Sequence, residues 1–482
     1  MQKQFVSSLS LLLFVNFLVK PLWIFGIDLQ VQNQVGVEAY GLYAAIFSHT
    51  LMFNILLDLG LSHYSNRNMA QNPERLAQSF SRLTTFKFAL GLFYLLVALV
   101  IGFFLGYVQK AITLLLLLAF NQFLLSLIVF FRSHLAGLHL FKADALMSVL
   151  DKLLTILLCG AVLYGSMESW QMTVTLFAAL QAVSLLIAAG LGFIMLYRKT
   201  QLFKFTFRFK RVKKQIRESL PYALLILLMA MYTRVDSVML QQISGEFENG
   251  IYAQAFRLLD AINQPGYLFS VLLLPMFAGM LGRKESVKEL SRLAFTLLMV
   301  LCVGVAVAGA TSARGLMGAL YHHHPELSTP VFQWLVFSSI AFGATYIFGT
   351  LLTARGNLGT LNRVALSGFA LNVILNFILI PNYGAYGAAV ATVITQSLTA
   401  LVQMAISFKI VGYQFATSFW LRLLVFAFLA AFSAYLLREW AGLNWIPQFL
   451  GALAFTLLWA MVLKLLPLKA AIVLVKQRLA SH

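Results

Sequence analysis

Apolar runs of about twenty residues recur along the whole chain, separated by short polar breaks, and this recurrence constrains the fold more than any single motif. A bilayer core about 30 Å thick is crossed by roughly 20 helical residues, and the runs predict fourteen spans. The first two cover about 9 to 31 and 40 to 62, the seventh and eighth about 219 to 243 and 251 to 280, and the last two about 418 to 438 and 446 to 466. Backbone polar groups in lipid must be satisfied within the protein, which makes the helix the spanning structure for runs this long. The expected fold is therefore all-α, a polytopic membrane protein. Charged residues make up only 11% of the chain and hydrophobic ones 61%, against roughly 25% charged in soluble domains, which excludes a cytosolic enzyme. The first run is too long for a signal-peptide core and is expected to remain as span 1. The two cysteines, Cys159 and Cys302, lie inside apolar runs, so neither a disulfide framework nor redox chemistry follows.

The net charge of +19 invites a nucleic-acid partner, but cytoplasmic loops of membrane proteins are rich in Lys and Arg for topological reasons. With the N-terminus inside, 27 of the 35 basic residues fall in or beside cytoplasmic segments, among them Lys87 and nine between Arg198 and Arg217. Lys110, Arg314 and Arg438 fall outside. That asymmetry accounts for the charge, gives no reason to expect nucleic acid, and, with an even number of spans, puts both termini in the cytoplasm. Within the stretch from Arg198 to Arg217, Phe203, Phe205, Phe207 and Phe209 alternate with polar or basic residues and put rings on one side of an extended segment. A stop-transfer loop is the simpler reading; a docking patch for an anionic lipid head group is the sharper one.

Weak repetition flanks that loop. Gly41-Leu42-Tyr43-Ala44 opens span 2, and Gly250-Ile251-Tyr252-Ala253 opens span 8, 209 residues later. Six spans are an even number, so two copies insert in the same orientation, as parallel repeats. The expected organisation is an N-terminal six-helix lobe over 1–197, a basic cytoplasmic inter-lobe loop over 198–218, a second six-helix lobe over 219–408, and two added helices with a cytoplasmic tail over 409–482. Pro21 in span 1 and Pro265 and Pro275 in span 8 each remove a backbone hydrogen bond and are candidate hinges.

Charges inside the spans cost about 2.5 to 3.5 kcal/mol each on insertion scales and need partners or water. By distance along each span they sort into two depths. Asp58, Arg132, Asp144, Asp151 and Lys152 lie toward the cytoplasm; Lys20, Asp28, Arg234, Asp236, Arg257 and Asp260 lie in the middle and outer half. Arg257 and Asp260 share a helix face and can neutralise each other, whereas Arg234 and Asp236 point to nearly opposite sides. Lys20 has no acid at neighbouring helical positions and stands beside Pro21, which makes it the leading candidate for binding substrate. Arg234 and Arg257 join it; Asp58, Asp236, Asp28, Asp260, Asp151, Lys152 and Arg132 are candidates for coupling or gating. No phosphate-binding GxxxxGK[ST] loop and no HExxH motif occurs. The consecutive His322, His323 and His324 cannot all converge on one ion and read as a solvated loop. No cofactor is expected, and short outer loops leave little room for a catalytic domain.

Pro221-Tyr222 followed by Tyr232-Thr233-Arg234-Val235-Asp236-Ser237-Val238-Met239-Leu240, the turn Pro381-Asn382-Tyr383-Gly384-Ala385-Tyr386-Gly387-Ala388-Ala389, and the opening hairpin from Lys20 through Tyr43 resemble stretches of bacterial polysaccharide flippases of the multidrug, oligosaccharidyl-lipid and polysaccharide exporter superfamily. The resemblance implies two six-helix lobes around a central cavity lined by spans 1, 2, 7 and 8. It also implies passage of an undecaprenyl-pyrophosphate-linked oligosaccharide to the periplasmic leaflet of a bacterial inner membrane, with Lys20, Arg234 and Arg257 holding the pyrophosphate. Polymerases and glycosyltransferases of the same pathway are the implied partners. A cation-coupled drug exporter is the alternative within transport, disfavoured by the near balance of acid and base in the spans. A membrane-embedded glycan polymerase or transferase is the alternative outside it.

Overall fold

The computed structural model describes residues 18–59, 76–138, 140–165, 171–200, 209–440 and 444–466. The chain is all-α, with no strand among the described residues. Ten helices among them are long and apolar enough to cross a membrane, against the fourteen spans expected. Local geometry accounts for much of the difference. Helix α8 (Phe209–Gly282) runs through two expected spans and departs from helical dihedrals only at Gly245. Helix α12 (Leu358–Val411) does the same at Gly384. The described part of expected span 1 holds a π-helical stretch, Leu22–Asp28, and the start of α1 (Leu29–Val35), and expected span 2 falls largely on α2 (Val37–Met52). The other helices are α3 (Leu76–Phe104), α4 (Tyr107–Gly137), α5 (Phe141–Met147), α6 (Leu150–Tyr164), α7 (Val174–Thr200), α9 (Lys288–Leu320), α10 (Pro325–Leu335), α11 (Ser338–Ala354), α13 (Thr417–Trp440) and α14 (Trp445–Val462).

The chain divides into two compact units, Met1–Gly250 and Ile251–His482. In the first, an apolar core is made by Phe80, Leu83 and Leu90 of α3, Leu124, Phe130 and Phe131 of α4, and Leu185, Ala188 and Leu196 of α7. Beside it the Asn121 amide donates to the Ala178 carbonyl at 3.0 Å. In the second unit, Val300, Val303 and Val307 of α9 pack with Phe426, Ala430 and Ala434 of α13 and Ala452 and Ala460 of α14. Small residues allow that close helix packing without a hydrophobic driving force between helices. The two helices added at the C-terminal end therefore share a core with α9. Large apolar side chains such as Leu92, Phe104 and Phe428 face outward, as a lipid-facing surface requires.

Offset by 209 residues, the first hairpin and its later copy repeat the same turn and contacts. Gly36 ends α1 at φ 83 and ψ 171, and Gly245 breaks α8 at φ 91 and ψ −177, a backbone region essentially confined to glycine. Tyr40 donates its hydroxyl to Asp28 at 3.2 Å, and at the equivalent pair Ser237 donates to Asn249 at 2.8 Å. A Cβ on Gly41 would overlap the Glu246 carbonyl oxygen, and one on Gly250 would overlap the Val37 carbonyl oxygen. Val37 and Glu246 are themselves 209 residues apart, so the contact is reciprocal, as a two-fold relation between copies demands.

Three expectations need correction or refinement. Lys87, counted among cytoplasmic loop charges although the span there was expected over 83–108, is only 1% exposed and pairs with Asp58, because it lies three turns inside α3. The span expected over 143–165 is found as one crossing stretch, Lys142–Tyr164, with a local break between α5 and α6 at Val149 (φ −129). Pro265 and Pro275 lie in α8 without leaving helical dihedrals, whereas Pro21 opens a seven-residue π-helical stretch, Leu22–Asp28. The rings Phe203, Phe205 and Phe207 lie outside the described residues, as does the side chain of Phe209.

Candidate functional site

The π-helical stretch widens the backbone where charges collect in the first unit. Such bulges leave local carbonyls in need of outside donors, and Tyr164 of α6 donates its hydroxyl to the Gly26 carbonyl at 2.8 Å. That bond ties the last residue of α6 to the stretch. Lys20 lies within electrostatic range of Lys152, Arg132 and Asp151. Lys20, expected in the middle and outer set, therefore lies near the α4 and α6 charges.

Each member of this cluster is held by a distinct device. The Arg132 guanidinium pairs with Asp144 at 2.7 Å. Asp151 is almost fully buried and stands 3.4 Å from the Lys152 ammonium, which remains about a third exposed. The same ammonium sits 4.9 Å from the centre of the Trp23 ring, a cation–π contact that holds a lysine without neutralising it. Lys20, Arg132 and Lys152 thus stand near Asp144 and Asp151, with Asp28 in the wall beside them.

Beside the charges lies an aromatic and amide wall. Trp23 stacks on Phe177 at 5.8 Å, Tyr43 tilts against Phe177 at 5.5 Å, and Tyr40 and Tyr43 are 5.3 Å apart. Gln181 donates to the Tyr43 hydroxyl at 3.2 Å. Asp28, 1% exposed, accepts from the Tyr40 hydroxyl and from the Gln32 amide, both at 3.2 Å. Trp23, Tyr40, Tyr43 and Phe177 are all buried.

The remaining sequence candidates lie elsewhere. Arg234 is half-buried and Asp236 is buried, both on α8 in the first unit. In the second unit Arg257 and Asp260 are half-buried on the same helix, and Asp260 lies within electrostatic range of Tyr346. Near them the Gln254 amide donates to the His323 carbonyl at 3.0 Å and the Tyr321 hydroxyl to the Gln254 carbonyl at 2.8 Å. His322 and its neighbours thus form an exposed turn between α9 and α10, anchored by backbone. No cluster of metal-ligating side chains occurs among the described residues. Sequence reasoning missed Trp23, Tyr40, Tyr43, Tyr164 and Gln181. The only signal was the aromatic density of the first hairpin, which in a chain with 42 phenylalanines does not stand out.

These features, a duplicated glycine-turned hairpin and charges collected inside an all-α membrane unit, define a multi-pass membrane protein with the fold of the flippases and transporters of the MOP superfamily. The chain belongs to the polysaccharide biosynthesis protein family, whose model matches residues 6–281. Among solved structures it is similar to the lipid II flippase MurJ in an inward closed conformation, with a TM-score of 0.70 at 15% identity over 94% of this chain and 98% of that one. An inward-facing multidrug resistance MATE family transporter matches with a TM-score of 0.60 at 15% identity, covering 81% and 94%. A MOP superfamily transporter from Pyrococcus furiosus, described as having a binding pocket of reverse polarity, matches at 0.57 and 15% identity, covering 84% and 94%. At these identities the likeness is one of fold. No curated protein matched the chain.

Proposed function

We propose that the protein is a flippase that carries an undecaprenyl-pyrophosphate-linked oligosaccharide from the cytoplasmic to the periplasmic leaflet of a bacterial inner membrane, by alternating access through a cationic central cavity. The observation that carries this reading is the gathering of Lys20, Lys152 and Arg132 beside the wall of Trp23, Tyr40, Tyr43 and Phe177. Family membership and the likeness in fold to MurJ support it. The physical problem is to move a polar, anionic head group past hydrocarbon while its tail remains in lipid. Cations attract the pyrophosphate, and aromatic faces with amide donors suit the first sugars. Lys20, Arg234 and Arg257 are the substrate-binding residues of this reading, with Pro21, Pro265 and Pro275 as hinges and Asp28, Asp58, Asp236 and Asp260 available for coupling. Both termini are cytoplasmic in this scheme, and glycosyltransferases and a polymerase act before and after the flippase. A negative interior favours outward movement of an anion by about 2.3 kcal/mol per charge per 100 mV.

The test is replacement of Lys20 or Arg234 by alanine in the native host. Surface polysaccharide should fall to background with protein abundance unchanged, and Lys20→Arg should restore most of it. Wild-type glycan in both alanine variants would reject the assignment.

A further inference from the structure

The joint between α9 and the added helix α13, inside the second unit, carries two arginines that the proposed transport cycle does not use. Arg292 lies in the second turn of α9 and Arg422 in the second turn of α13, both on the side that the basic residues mark as cytoplasmic. The Arg292 guanidinium stands 5.4 Å from the centre of the Phe419 ring of α13. Phe419 is buried in a cluster with Phe295, Phe408, Phe415 and Trp420, so the ring is a fixed seat that orients the guanidinium without neutralising it. Arg292 itself remains exposed. Phe419 and Arg422 are three residues apart and share a face of α13, which puts Arg422 one turn from that seat.

The surface around both arginines is apolar. Leu421 and Leu424, on either side of Arg422, are 62% and 68% exposed, and Leu293, next to Arg292, is 41% exposed. Within membrane spans such leucines mark the face turned to hydrocarbon, and Arg422 is exposed among them. A guanidinium there is costly unless its stem snorkels to the head-group region and meets an anion. Among the described residues no carboxylate forms an ion pair with either arginine, although Arg283 on the same side has Glu285 at 2.7 Å and Glu289 lies one turn before Arg292. An arginine fork matches phosphate oxygens in pairs, and basic sites between spans on the cytoplasmic side take anionic head groups.

We infer that Arg292 and Arg422 together bind the head-group phosphate of one anionic phospholipid, whose acyl chains lie along Leu293, Leu421 and Leu424. The lipid clamps α13 to α9 at the end of a joint whose core is largely valine and alanine. This does not rest on the cargo proposed above, because neither arginine belongs to the substrate-binding set.

The experiment titrates the purified full chain in detergent with phosphatidylglycerol, phosphatidylcholine or inorganic phosphate, counts bound lipid by native mass spectrometry and follows thermal unfolding. Phosphatidylglycerol should bind and raise the unfolding temperature by several degrees more than phosphatidylcholine, following ligand linkage; inorganic phosphate, which has no chains to lay on the leucines, should do neither. Arg292→Ala and Arg422→Ala should each weaken phosphatidylglycerol binding roughly tenfold, the loss of a charge-assisted contact, and remove the added stabilisation. Arg292→Lys should recover only part of it, since an ammonium cannot make the paired bonds. Lys409→Ala, which removes an exposed base at the end of α12 on the same side, should bind as wild type does. Arg292→Gln and Arg422→Gln keep the stems and give the same readout if the alanine variants accumulate poorly. Wild-type binding in the variants of both arginines overturns the inference, as does an equal loss in Lys409→Ala, the mark of a diffuse basic field. Stabilisation by inorganic phosphate equal to that by phosphatidylglycerol overturns the lipid as ligand.

Discussion

The reciprocal glycine contact gives the most direct test of the structure. Replacing Gly41 by alanine puts a Cβ against the Glu246 carbonyl oxygen and 2.8 Å from the Gly250 nitrogen, where ordinary contact begins at 3.4 Å. Both obstacles are backbone, so no side-chain rotation relieves them, and α2 must withdraw by at least about 0.6 Å along the nitrogen contact alone. That movement also stretches the 2.7 Å bond from the Asn249 amide to the Gly41 carbonyl. Overpacking of this kind costs about 1 to 3 kcal/mol, and loss of the hydrogen bond adds about 1 kcal/mol. Gly250→Ala meets the Val37 carbonyl in the same way, so the two variants should lose similar stability. Gly190→Ala, on α7 with nothing within 4 Å of its Cβ, should be neutral or slightly stabilised by helix propensity. A thiol-reactive fluorescent dye reads unfolding conveniently, because the free cysteines Cys159 and Cys302 are both buried. If Gly41→Ala melts with Gly190→Ala and the wild type, the close approach of these backbones is refuted.

Other expectations follow from single contacts. Tyr164→Phe removes the donor to the Gly26 carbonyl and should cost about 1 kcal/mol, with hydrogen exchange at Gly26 and its neighbours faster than in wild type; unchanged exchange would separate the π-helical stretch from that bond. Gly245→Ala meets no atom within 4 Å, so its effect is backbone strain alone, about 1 to 3 kcal/mol, and Gly36→Ala should match it in a thermal melt. Lys110 pairs with Glu246 at 2.6 Å but is half exposed, so Lys110→Ala should cost under about 1 kcal/mol, a difference that shrinks in high salt. Outside the spans, the Arg283 guanidinium holds the Glu285 carboxyl below the usual carboxylate range. The contact therefore survives above that range and is lost as pH falls through the lowered value; carboxylate infrared bands showing Glu285 titrating at or above the ordinary value would contradict it.

The one motif repeat visible in the sequence led to the right place. Gly41 and Gly250 were legible as equivalent positions, and the structure adds Gly36 with Gly245, Asp28 with Ser237, and Tyr40 with Asn249 on the same offset. The candidate charges were legible as residues, since an ionisable side chain inside an apolar run is conspicuous. Their partners were not. Lys20 joined Lys152 and Arg132 against the expected depths, and Lys87 passed for a loop charge while buried against Asp58.

The amino-acid sequence alone settles that this is an all-α membrane protein with a duplicated hairpin, because run length, residue type and repetition are local properties that the thickness of the bilayer turns directly into helices. Only the tertiary structure decides which side chains meet. A helix that is apolar on every side carries no stripe to reveal its rotation, so whether a lysine turns toward a carboxylate, an aromatic ring or the head groups depends on which neighbour packs beside it.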